Sequence, residues 1–196
     1  MLLGLKENQM ITKMFGEKEI TIRSLSEDDL QCLEKFQEYA NSLVKEEARI
    51  SINKELSLEE EREYLTGMLK GVKSQKGILL VAEHNGDVVG ATNINLGVGG
   101  QEHVGNFGIA VRKDCRGIGL GKYLMGEVIK QAQTELIPSP SIIKLDVLEG
   151  NKPAISLYES CGFKKVAKVP DQVRYKGELL SLIVMLLYLN KPEQLS

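Results

Sequence analysis

The sequence predicts a mixed α/β sheet with helices on both faces, in the order β-α-α-β-β-β-α-β-α-β-β. Three observations carry that prediction. Asn106 to Val111 is an apolar run of strand character. From Leu120 the residues Leu120, Leu124, Val128, Ala132 and Leu136, widened by Met125 and Ile129, recur at helical spacing. Ile142 to Leu148 is again a β-type run, so the three stretches form a βαβ unit whose strands are parallel neighbours. Ahead of it, Ile78–His84 and Val88–Leu96 flank Asn85-Gly86-Asp87, a hairpin turn signal that implies antiparallel pairing.

In chain order, residues 1–16 show no period and read as a flexible N-terminal arm. Glu19 to Arg23 alternates polar and apolar as a first strand. Ser26 and the acids that follow it open a helix at its positive end, with Leu30, Leu33 and Phe36 to Ala40 as the apolar face. Glu46 to Leu56 reads as a loop. Ser57, with Glu60 three residues on, forms a capping box for a second helix that runs to about Val72. Leu58, Tyr64, Leu65, Met68 and Leu69 face inward there, and the charge run Glu59 to Glu63 makes a solvated face. Gly97 to Gln101 connects the hairpin to the strand His103–Val111, and Pro138-Ser139-Pro140 breaks the long helix after it. Asn151 to Cys161 is a short helix with Pro153 in its first turn, ended by Gly162-Phe163. A strand runs to Val169, Pro170 to Gly177 is a loop, and Leu179 to Leu189 is the last strand. Residues 17–190 thus read as one domain and 191–196 as a C-terminal tail.

Composition narrows the class. The 42% hydrophobic and 27% charged residues are those of an ordinary soluble protein, and a net charge of −2 implies neither nucleic acid nor an anionic membrane as partner. Cys32, Cys115 and Cys161 are widely spaced without a CxxC pair, so neither a disulfide framework nor a zinc site is indicated and a reducing cytoplasm is the expected compartment. Met1-Leu-Leu-Gly-Leu5 lacks the basic start and long apolar core of a signal peptide. The longest apolar run, Leu179 to Leu189, is too short to span a bilayer as a helix.

Between the apolar strand and the long helix stand Gly117, Gly119 and Gly121, flanked by Arg116 and Lys122. Glycines permit unusual dihedrals and let an anion approach the backbone, and a helix start adds free N–H donors and the positive end of the macrodipole. Together with two cations they make a pyrophosphate site. A P-loop needs glycine where Arg116 stands and Ser or Thr where Tyr123 stands; the dinucleotide fingerprint needs its third glycine one residue later than Gly121. The pattern present, Arg116-x-x-Gly119-x-Gly121, resembles the acetyl-CoA signature of the GNAT superfamily of N-acyltransferases. Downstream, Asn151-x-x-Ala154-x-x-Leu157-Tyr158-x-x-x-Gly162-Phe163 resembles that family's second signature, N-x-x-A-x-x-L-Y-x-x-x-G-F, at every named position. The resemblance covers roughly Gly77 to Leu189.

The resemblance implies a GNAT-like fold and acetyl transfer from acetyl-CoA directly to a primary amine in a ternary complex, with no metal. It implies that main chain at Ile109, Ala110 and Val111 meets pantetheine, and that the amides of Arg116, Gly117, Ile118, Gly119, Leu120, Gly121 and Lys122 meet the pyrophosphate. Asn151 would bond the pantetheine arm, Ala154 would leave room for it, and Tyr158 would protonate the departing thiolate. A phenol, ordinarily near pKa 10, is protonated at neutral pH. Read alone, Tyr158 also suits a core position and Asn151 a helix N-cap. Family members often carry a basic Glu where this chain has Asn106, so Glu102 and His103 are the substitute bases, with Glu83, His84 and a water relay as alternatives. The acceptor is an amine-bearing small molecule or peptide, which Glu46, Glu47, Asp171 and Tyr175 could greet if it is cationic. A homodimer through the last strands fits the family. The competing function is a non-catalytic acyl-CoA-binding regulator, motivated by Asn106.

Overall fold

The computed structural model describes residues 10–50, 52 and 54–189. Eight strands form one sheet in the order β1-β2-β3-β4-β5-β6-β8-β7: β1 (Ile11–Phe15), β2 (Lys18–Ser24), β3 (Gly77–His84), β4 (Asp87–Leu96), β5 (Val104–Val111), β6 (Ile142–Leu148), β7 (Lys164–Tyr175) and β8 (Glu178–Tyr188). Every neighbouring pair is antiparallel except β5 and β6, which are parallel, as the βαβ reading requires.

Helices α1 (Leu33–Lys45) and α2 (Leu58–Lys73) cover one face, packing Phe36, Tyr39, Leu43, Leu65, Met68 and Leu69 on Leu79 and Val81. Helices α3 (Leu120–Glu135) and α4 (Lys152–Ser160) cover the other. Leu120, Leu124, Met125, Val128 and Ala132 of α3 are fully buried there against β-sheet residues such as Leu80, Ile94 and Ile143. Asn85 and Gly86 make the β3–β4 turn, both with positive φ as a type I′ hairpin demands. The Ser57–Glu60 capping box forms as read: Glu60 N–H donates to Ser57 Oγ at 3.2 Å, and Ser57 N–H donates to the Glu60 carboxylate at 2.9 Å.

Four local readings change. Ile11–Phe15, read as part of a loose arm, is β1, held by its ladder to β2 and by a 3.0 Å hydrogen bond between Thr12 and Thr21 across the pair. Residues 1–9 of that arm and the tail 191–196 lie outside the described residues. Ser26 opens a 3-10 turn, Glu27–Gln31, with α1 starting only at Leu33. Pro170–Tyr175, read as a loop, continues β7 beyond an irregularity between Val169 and Val173; proline is tolerated there because β7 is an edge strand. On α2, Leu58 and Tyr64 are exposed rather than inward, and Glu61, read as solvated, is buried.

Candidate active site

The site starts where the sheet comes apart. The β5–β6 ladder holds for Val104↔Ile142, Gly105↔Ile143 and Asn106↔Lys144, then stops, while β4–β5 pairing continues to Gly90↔Val111. Arg112 N–H bonds Val89 O, so alternation turns the backbone polar groups of Ala110 toward Ala91 on β4 and those of Ile109 and Val111 toward β6. No β6 partner meets them. Val111 O accepts from Arg116 Nε at 2.7 Å, which leaves Ile109 N–H, Ile109 C=O and Val111 N–H facing the opening. A peptide-like ligand arm would complete this half-made parallel ladder.

At the same end the chain turns through Lys113–Cys115 into the glycine segment. Gly117 and Gly119 adopt φ of +76° and +91°, which L side chains rarely tolerate, and nothing lies within 4 Å of where a Cβ would stand on either. Gly119 is the N-cap of α3. The first bonded amide is that of Tyr123, to Gly119 O, so the N–H groups of Leu120, Gly121 and Lys122 are free of helix partners. Lys122 is exposed and, among the described residues, makes no ion pair. The Arg116 guanidinium pairs with Glu46, which also accepts from Lys113 N–H at 3.1 Å. Cys115 is fully buried and burial raises its thiol, which disfavours a thiolate there.

The third wall is α4. Asn151 caps it, accepting from Ala154 N–H at 3.4 Å and donating to Arg49 O at 3.3 Å. Tyr158 is 8% exposed, and its ring stands edge-on to Phe107 at 6.1 Å, beside the last β5–β6 pair. Its hydroxyl makes no hydrogen bond among the described residues, and burial pushes the phenol up to about 12.

A family model described as acetyltransferase (GNAT) family matches residues 37–163. The chain belongs to this family. Among solved structures, a ribosomal-protein-alanine N-acetyltransferase from Brucella melitensis is 25% identical, covering 86% of this chain and 99% of its own, with a TM-score of 0.73. A putative acetyltransferase from Salmonella typhimurium, solved with its cofactor acetyl-CoA, is 23% identical over 88% of this chain and 95% of its own (TM-score 0.73). An N-acetyltransferase from Staphylococcus aureus shares the fold at 17% identity, over 87% and 99% of the two chains (TM-score 0.74). No curated protein matches the chain.

In this GNAT chain the residues proposed as bases do not gather at the opening. Glu102 and His103 are exposed at the start of β5; at ~3.3 Å per residue, His103 lies about 20 Å along the strand from Ile109. Glu102 pairs with Lys76 at 3.1 Å. Glu83 pairs with Arg23 at 2.7 Å, and His84 Nδ1 is 2.8 Å from Glu19 O. Asn106 is exposed at the last β5–β6 pair. Two of the three carboxylates suggested for acceptor binding are engaged as well, Glu46 by Arg116 and Glu47 by Lys176, while the Tyr175 hydroxyl donates to Glu47 O at 2.8 Å. The sequence reading missed Tyr39, whose hydroxyl donates to Ala110 O at 2.8 Å from the α1 side of β5. Among the described residues no cluster of metal-ligating side chains occurs, and no helix is long and apolar enough to cross a membrane.

Proposed function

We propose that this GNAT protein transfers the acetyl group of acetyl-CoA directly to a primary amine in a ternary complex. The observation that carries the reading is the end of the β5–β6 ladder at Asn106↔Lys144, on the strand that leads through the glycine turn into the open N-terminus of α3. The residues suit the co-substrate. Ile109 and Val111 offer backbone partners to an amide-bearing arm, the open glycine turn and the free α3 amides suit a pyrophosphate, and Tyr158 offers a proton donor between them. The thioester supplies an activated acetyl group: a C–N bond forms as the C–S bond breaks, nitrogen loses a proton and sulfur gains one. On the protein's side, the Ile109 and Val111 amides are placed to donate toward a carbonyl oxygen as it gains charge, and Tyr158 donates toward the sulfur.

The 25% identical relative named for ribosomal-protein alanine makes a peptide with a free N-terminal alanine the first acceptor to test, beside small primary amines. The free edge of β7, with Val166 and Val169 exposed, is the face we propose for homodimer pairing. The deciding assay is thiol release from acetyl-CoA across that acceptor panel, with the acetylated product identified by mass. Turnover with one acceptor class is the expected result. Tight acetyl-CoA binding with no thiol release from any acceptor would select the binding-only reading that Asn106 favours.

A further inference from the structure

Helix α2 turns Glu61, Leu65, Met68 and Leu69 inward, one stripe at i, i+4, i+7 and i+8 in which only Glu61 is charged. Glu61 is 3% exposed, as buried as the leucines beside it. Burial of a carboxyl is tolerated when it is paired or hydrogen-bonded. Glu61 has neither compensation: among the described residues its side chain makes no hydrogen bond and no ion pair. Every fully enclosed side-chain polar atom among those residues does have a partner, so the Glu61 oxygens retain a narrow opening to the outside. A buried acid without a structural partner is a cost that packing does not explain.

Its surroundings lead to the acetyl-transfer site. Burial raises the phenols of Tyr39 on α1 and Tyr64 on α2, and the nearby Glu61 charge adds a smaller push to both. Tyr39 is 8% exposed and bonds Ala110 O, between the two residues whose free backbone groups face the opening. On this face of the sheet the Asn93 amide fills the space over Gly108, where a Cβ would stand 2.8 Å from Asn93 Oδ1, so the floor beside Ala110 is polar. Leu65, one turn along α2 from Glu61, shares a cluster with Tyr39, Ala91 and Ala110, so this helix face carries the unpaired acid toward β5, opposite the face that carries Tyr158.

We propose that Glu61 is the general base of the reaction, receiving the acceptor's ammonium group on the α1/α2 side of β5 and removing its proton. This rests on the acetyl-transfer reading above and fills the role that Asn106 cannot. Ammonium and carboxylate become amine and carboxylic acid; the neutral nitrogen then forms the C–N bond as C–S breaks. The second nitrogen proton is balanced by the one that sulfur takes up, and the proton on Glu61 returns to water before the next turnover. Burial alone raises the Glu61 carboxyl to about 7, where a base working at neutral pH is best matched. The apolar cluster packed with α2 presents Leu79 and Val81 from β3, and Tyr39 and Leu43 from α1, with Tyr39 its ionisable member; the 3-10 turn Glu27–Gln31 adds Asp29, paired with Arg23, and Glu27, paired with Lys73 in the last turn of α2. Arg116, whose charge is felt at Tyr39, is already paired with Glu46.

The test is Glu61→Gln, which keeps the shape and removes the base. For the wild type, kcat/KM is expected to rise with pH through about 7. The variant is expected to lack that limb, to lose about 100-fold in kcat near neutral pH, and to regain ground toward pH 10, where water deprotonates the amine. A second readout needs no acetyl-CoA. A carboxyl raised from 4.5 to about 7 loses folded-state stability as pH climbs through that window, so the variant should melt above the wild type at pH 8 and level with it at pH 4. An active wild type whose Gln variant keeps both rate and pH profile overturns Glu61 as base, as does a raised KM with an unchanged profile, or equal melting at both pH values. A wild type inactive with every amine overturns the acetyl-transfer reading itself, and Glu61 as base with it.

Discussion

Tyr158→Phe is expected to lower turnover by about 100- to 1,000-fold while leaving acetyl-CoA affinity unchanged, as loss of one donor aimed at developing charge does elsewhere. Burial holds the phenol at about 12, so it stays protonated across the working range and is a weaker acid than an ordinary thiol, near 8.5. Its role is therefore a hydrogen bond donated to sulfur as the C–S bond weakens, an interaction stronger in the transition state than before it. Phenylalanine retains the edge contact with Phe107 and abandons no protein partner, so stability should hold. Steady-state kinetics beside calorimetric titration of acetyl-CoA separates the two quantities. Unchanged turnover would reduce Tyr158 to a packing residue.

Arg23→Met should destabilise the fold by about 3–5 kcal/mol, the range for breaking a buried ion pair from one side. Arg23 bonds Asp29 twice, at 2.7 and 2.9 Å, and Glu83 at 2.7 and 3.2 Å, and Asp29 is 5% exposed. The two carboxylates hold the guanidinium charged, with Asp29 the larger influence. Asp29 also accepts from Ser26 N–H at 2.8 Å, so the cluster ties β2 and β3 to the turn from which α1 departs, and α1 carries Tyr39. Without Arg23 two neighbouring carboxylates are left unpaired with little solvent around them. Denaturant melts of the two proteins side by side would read the loss, and a variant as stable as the wild type would contradict it.

What the sequence made legible was local. The βαβ unit, the Asn85-Gly86 hairpin, the glycine turn and the α4 signature are each written in contiguous residues whose period or spacing has one structural meaning. What escaped depends on distant partners. Ile11–Phe15 is a strand because β2 offers it an edge, and β7 passes Pro170 because nothing needs that missing N–H. His103 stands close in sequence to the reacting strand segment, yet extended backbone carries it to the far end of β5. Glu61 was hidden in an acidic run; its only signature is the helical register it shares with Leu65 and Met68. The parting of β5 from β6 after Asn106 leaves no mark in the residue pattern, because the strands run on through equally apolar sequence.

That parting is the centre of the account, and amide hydrogen exchange followed by NMR reads it residue by residue. Saturating acetyl-CoA should slow exchange at Ile109 and Val111 and across Gly117 to Lys122, while Ala110, already turned into the β4 ladder, stays as it was. Saturation with no change at Ile109 and Val111 would place the co-substrate elsewhere and contradict the site.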